Sequence, residues 1–197
     1  MFWYEDEVKR LEKERLITGR NPDVIFYGSS SIRLWDSLGH DFKSAQVVNL
    51  GFGGSTLAAC VWFFERIMLH YKPKALVVYA GDNDLGDGRH PEEILIFFQQ
   101  LMLKVADRFG VLPCYFVSLK PSLSRWHKAD QLRYTNNLIE SEIIKLSNNW
   151  KFIDVFKKML DKSGHPERSY FLDDRLHLSE KGYQLWRDII NQFLIQR

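Results

Sequence analysis

Short, continuous apolar runs alternate along the chain with longer amphipathic stretches. The short runs fall at 24–27, 47–50, 75–80, 113–117 and 152–155. Apolar residues without alternation fit strands buried on both faces. Between them, apolar positions recur at helical spacing over 55–70, 91–109, 124–148 and 179–195. An earlier stretch, 4–17, places Tyr4, Val8, Leu11 and Leu16 among charges and predicts a surface helix, broken by Asn21, Pro22 and Asp23. Strands alternating with long helices predict an α/β fold, a parallel sheet covered on both faces. Ligands of such sheets bind beyond the carboxyl ends of the strands.

Composition narrows the class. At 197 residues the chain is expected to form one domain, and 45% hydrophobic with 26% charged residues is ordinary for a globular protein. Aromatic residues reach 14%, enough for a large core or an apolar pocket. Lys and Arg number 27 against 25 Asp and Glu, a net charge of +2 that gives no electrostatic case for nucleic acid or anionic membrane. The longest apolar run, 57–64, is far short of the ~20 residues of a membrane span. The acidic start of the chain does not resemble a signal peptide. Cys60 and Cys114 form no CxxC pair, which argues against a zinc or redox motif. A cytoplasmic protein is expected.

Four segments at or beyond strand ends carry candidate chemistry. Gly28, Ser29, Ser30 and Ser31 follow the first strand and should open a helix, where backbone N–H groups favour negative charge. They read either as a serine cap or as a nucleophile turn. Gly51, Gly53 and Gly54 follow the second strand; Thr56 at the third glycine position excludes a dinucleotide fingerprint, leaving a tight turn or a close ligand approach. Asn83, between Asp82 and Asp84, follows the third strand and could donate to an oxyanion or make an Asx-turn. A calcium loop counted from Asp82 fails, because Asp87 replaces its sixth-position glycine. Asp174 lies three residues before His177, a spacing that lets a carboxylate fix an imidazole tautomer, though a solvated loop fits equally. Together these groups supply every part of an acyl-transfer site.

In that order the blocks Gly-Ser-Ser30-Ser-Ile, Gly-Gly54-Ser-Thr, Gly-Asp-Asn83-Asp and Asp174-Arg-Leu-His177 resemble the SGNH (GDSL-type) hydrolases over about residues 24 to 190. The resemblance implies a flavodoxin-like three-layer α/β/α sandwich with a five-stranded parallel sheet. It implies Ser30 as nucleophile, His177 as general base and Asp174 as its partner. It implies an oxyanion hole made by the Ser30 and Gly54 N–H groups and the Asn83 amide, with no metal or cofactor. Ser29 stands where the family usually has aspartate, and the run through Arg33 and Trp35 is similar to a branch with Gly-Ser-Ser-Ser-Ile-Arg. An α/β-hydrolase elbow is excluded by Ile32 where Gly is required.

The expected organisation is a single SGNH-hydrolase-like domain over 1–197, with 1–20 an amphipathic helix packed on it. The leading expectation is a serine esterase acting on a small ester with a short acyl group, acetyl foremost, through a covalent acyl-enzyme. The competing readings are a lysophospholipase or thioesterase for longer chains and a non-catalytic ligand-binding module. Trp35, Phe52, Arg125 and Trp126 are candidate substrate contacts, with core packing the equal alternative for Trp35 and Phe52. Trp62, Trp150 and Trp186 are expected in the core. His40, His70, His90, His127 and His165 are expected as solvated side chains, with His127 nearest the cleft. The N-terminal helix and the helix over 124–148 offer faces for a homodimer.

Overall fold

The structure is a computed structural model and describes residues 2–15, 21–146 and 149–194. Leu16 and the ends of the stretches predicted over 4–17, 124–148 and 179–195 lie outside the described residues. Helix α1 spans Glu5–Glu14, preceded by a 3-10 turn at Phe2–Tyr4. The strands are β1 (Val24–Gly28), β2 (Val47–Gly51), β3 (Leu76–Tyr79), β4 (Cys114–Val117) and β5 (Trp150–Ile153). They are linked by α2 (Ser30–Arg33), α3 (Leu38–Asp41), α4 (Leu57–Met68), α5 (Asp82–Gly86), α6 (Pro91–Phe109) and α7 (Ala129–Leu146), and the chain continues to α8 (Glu180–Leu194). The sheet is wholly parallel in the order β2-β1-β3-β4-β5.

Alternate residues of each strand feed opposite cores. Ile25, Tyr27, Val48, Leu50, Leu76, Val78 and Phe116 pack under α1, α4, α6 and α7. Val24, Phe26, Val77, Tyr79, Tyr115 and Val117 pack under α2, α3 and α8. This is the expected three-layer α/β/α sandwich, and it explains why β1, β3 and β4 lack a polar face. Helix α6 starts at Pro91, has a capping box between His90 and Glu93, and stops at Gly110. Trp186, fully buried, anchors α8 against Trp35 and Tyr79.

Two sequence expectations are corrected. The fifth strand runs over Trp150–Ile153 and not 152–155. It is an edge strand with Lys151 exposed, so a search for a continuous apolar run starts two residues too late. The chain leaves the sheet after Ile153, where Ser118 Oγ accepts the N–H groups of Val155 and Phe156. Trp62 is not core: it is 70% exposed on the outer face of α4, whereas Trp150 and Trp186 are buried as expected.

Candidate active site

The first three strands end side by side, β1 in the middle. Gly28 closes β1 at φ +146°, and a Cβ there would overlap the backbone oxygen of Tyr79. Ser29 then precedes α2, its N–H donating to Tyr79 O at 2.9 Å. Three adjacent serines have different fates. Ser29 and Ser31 are buried, and among the described residues their Oγ atoms have no hydrogen-bond partner. Ser30, the first residue of α2, directs its Oγ to His177 Nε2 at 3.1 Å. At about 100° per residue, a helix start can aim only one of three consecutive side chains this way. The Ser30 N–H also begins the helix and has no carbonyl one turn ahead of it.

Asp174 and His177 sit in the loop before α8, folded on itself by a bridge between Phe171 and Leu178. Asp174 Oδ1 accepts the N–H groups of Leu176 and His177, each at 2.9 Å, while Oδ2 accepts His177 Nδ1–H at 2.6 Å. Between them Arg175 takes a left-handed conformation, φ +61°. Desolvation opposes ionisation of Asp174, but the hydrogen bonds from the His177 ring and the two N–H groups outweigh it and lower its pKa to about 2. An ionised carboxylate can only accept, so Nδ1 carries the ring proton and Nε2 is free to accept from Ser30. This chain of contacts can activate a hydroxyl.

Beside it, the loop after β2 is tied from several sides. Ser55 Oγ donates to Gly28 O at 3.1 Å, joining the loop to the end of β1. Gly54 has φ +68°. Helix α1 fastens the same loop: Tyr4 OH donates to Gly54 O at 3.1 Å, Glu7 accepts the Gly53 N–H at 3.1 Å, and Arg10 donates to Gly51 O at 2.9 Å. Glu7 also pairs with Arg33 of α2 at 2.5 Å. Partial burial raises the Glu7 pKa, yet the Arg33, Gly53 and Arg10 contacts outweigh it and lower the pKa overall. Sequence reasoning missed the contacts of Tyr4, Glu7 and Arg10 with this loop; their spacing of three along the chain was the available signal.

Asn83 lies in α5, beyond β3. Its Nδ2 donates to Ser55 O at 3.0 Å and its Oδ1 accepts from Arg125 at 2.9 Å. The neighbouring Asp84 is fully buried and accepts the Leu57 N–H at 2.6 Å, capping α4. Burial dominates its electrostatics, raising its pKa to about 6 despite the helix N–H groups.

The structure thus brings Ser30, His177 and Asp174 into one hydrogen-bonded chain and sets Gly54 and Asn83 at the ends of the flanking strands. The candidate substrate contacts Trp35 and Phe52 take the core alternative, with 1% and 0% exposure. Trp35 donates to Asp41 beneath α2, and Phe52 packs edge-on against Tyr4 and Phe63. Arg125 points to Asn83 and Asp82. Trp126 stacks on Phe156 and is overlain by Arg133. Of the histidines expected to be solvated, His90 has a partner in the α6 cap and His165 lies beside Ser163. Among the described residues, no group of three or more His, Cys, Asp or Glu side chains is placed to hold a metal ion. Among the same residues no helix is long and apolar enough to cross a membrane.

The sequence profile of the GDSL-like lipase/acylhydrolase family matches residues 19–185. No curated protein matches the chain. Among solved structures, the fold is similar to a Streptococcus pneumoniae protein provisionally described as a platelet activating factor, with a TM-score of 0.84 at 21% identity over 97% of this chain and 92% of that one. It is also similar to a GDSL-like lipase from Bacteroides thetaiotaomicron, with a TM-score of 0.79 at 18% identity over 96% and 97% of the two chains. A third similar structure is the acetyl xylan esterase AlAXEase, with a TM-score of 0.72 at 20% identity over 86% and 98%.

Proposed function

The chain belongs to the GDSL-like lipase/acylhydrolase family, and from that premise we propose that it is a serine hydrolase cleaving a small, short-acyl ester through a covalent acyl-enzyme. Residues 1–197 act in this reading as one domain. Ser30 Oγ attacks the ester carbonyl carbon while His177 Nε2 takes its proton. The carbonyl oxygen becomes an oxyanion that receives hydrogen bonds from the Ser30 and Gly54 N–H groups and the Asn83 amide. Collapse of this intermediate breaks the bond to the alcohol, which leaves with the proton from His177. Water, deprotonated by His177, then attacks the acyl-Ser30 carbonyl, and the carboxylic acid departs as Ser30 regains its proton. Asp174 keeps the ring in the required tautomer throughout.

The observation that carries this reading is the 3.1 Å contact of Ser30 with a His177 ring whose other nitrogen is held at 2.6 Å by Asp174. The similarity to an acetyl xylan esterase supports the short acyl group. The test is intact and peptide mass spectrometry after fluorophosphonate treatment, together with hydrolysis rates on acetyl and decanoyl esters. One adduct on the Ser30 peptide, absent in Ser30→Ala and His177→Ala, and faster acetyl turnover are expected. Absence of an adduct on the folded protein would favour a ligand-binding module. Preference for decanoyl would favour a lysophospholipase or thioesterase.

A further inference from the structure

Arg125 has a guanidinium with five donors and no acceptor. Its Nη2 lies 2.9 Å from one end of the Asn83 amide, so that end is the oxygen. The other end lies 3.0 Å from the Ser55 carbonyl, which only accepts, so it is the NH₂. One of its two hydrogens goes to Ser55, and the second is left to donate elsewhere. Without Arg125, the Ser55 carbonyl alone would hold the amide, and its oxygen end would have no partner in this pair of contacts.

The guanidinium is itself held in place. Its Nη1 is 3.2 Å from Asp82 Oδ2, an oxygen that also meets Lys120 Nζ at 3.0 Å. Lys120 in turn donates to the Tyr79 hydroxyl at 3.2 Å. Asp82 and Lys120 are buried, and Gly86 lets the guanidinium lie against the backbone of α5: a Cβ there would sit 3.0–3.3 Å from Nη2, Cζ and Nε. One carboxylate faces two cations, so the cluster places net positive charge behind the amide. Buried ion pairs are poor sources of stability, and this one has a geometric output.

We propose that Arg125 is the positioning residue of the oxyanion hole: it orients Asn83 so that Nδ2 can donate to the oxyanion, and Asp82 with Lys120 holds Arg125. The proposal rests on the acyl-enzyme reading above. Its test uses two readouts, the second-order rate of phosphonylation by a fluorophosphonate and kcat and KM on p-nitrophenyl acetate. The variants are Asn83→Ala, Arg125→Met, Arg125→Lys and the double variant Asn83→Ala/Arg125→Met. Arg125→Met should lower kcat and the phosphonylation rate by about 10–100-fold, the scale of a misplaced catalytic group, with KM changed by less than about 3-fold. In the Asn83→Ala background it should cost nothing further, because there is no amide to orient. Arg125→Lys keeps a cation beside Asp82 but loses the fork, so it should fold like the wild type and still lose about 10-fold. Losses that multiply in the double variant, a change confined to KM, or full activity in Arg125→Lys would each overturn the proposal. A wild type that is neither labelled nor active fails at the acyl-enzyme reading. A labelled wild type with an Asn83→Ala loss below about 3-fold fails at the oxyanion role of Asn83, far under the usual 10²–10³.

Discussion

Asp84 provides a direct probe of the loop that carries Gly54. Its carboxylate is fully buried, caps α4 through the Leu57 N–H, and has its pKa raised from 3.8 to about 6 chiefly by burial. The folded state therefore holds the Asp84 proton more tightly than the unfolded chain does. Stability from this group is full below pH 3.8 and falls as pH rises toward and past 6. A shift of this size corresponds to about 3 kcal/mol, of which roughly 2 kcal/mol falls between pH 4.5 and 8. Asp84→Asn keeps an oxygen for the Leu57 N–H and removes the titration. Urea unfolding of both proteins across that pH range should show the variant gaining about 2 kcal/mol relative to the wild type. Two stability profiles that stay parallel to within about 0.5 kcal/mol, the size of ordinary surface effects, would refute burial as the dominant influence on Asp84.

Two further substitutions test how the site is supported. Gly28→Ala combines a left-handed backbone with a clash against the Tyr79 carbonyl, so it should cost about 3–5 kcal/mol and lower Tm by on the order of 10 °C. Calorimetry finding a Tm near that of the wild type would contradict it. Glu7→Gln weakens the link between α1, Arg33 and the Gly53 N–H; because Glu7 is partly exposed, Tm should fall by only about 2–4 °C. Phosphonylation of Ser30 should slow several-fold in the same variant if α1 holds the loop that carries Gly54 in place. An unchanged rate would make α1 a passive cover.

Much of this molecule is legible in the sequence. Apolar runs with no polar face declare β1, β3 and β4, because a strand covered on both sides has no residue to give to water. Helix α6 declares both its ends through Pro91, Glu93 and Gly110. Asp174 and His177 are also legible as a unit, since a three-residue spacing within a loop is local geometry. The edge strand β5 is legible in existence but not in its bounds, because Lys151 on its open side interrupts the apolar run.

Tertiary structure alone decided the rest. Ser29, Ser30 and Ser31 are chemically identical side chains; the family resemblance singles out Ser30, and the burial of its neighbours and the arrival of His177 from 147 residues away give it its physical distinction. The fates of Trp35 and Phe52 depended on which face of the sheet each side chain entered. The contacts of Glu7 and Arg125 are long-range too: Glu7 is one charge among many in the sequence until α1 meets the loop after β2, and Arg125, a candidate by its place after β4, finds its partners only where that loop meets α5. Local pattern records where a residue wants to be buried or how the chain wants to turn. Which polar groups meet across the sheet edge depends on the packing of all three layers, and no short stretch of sequence contains that information.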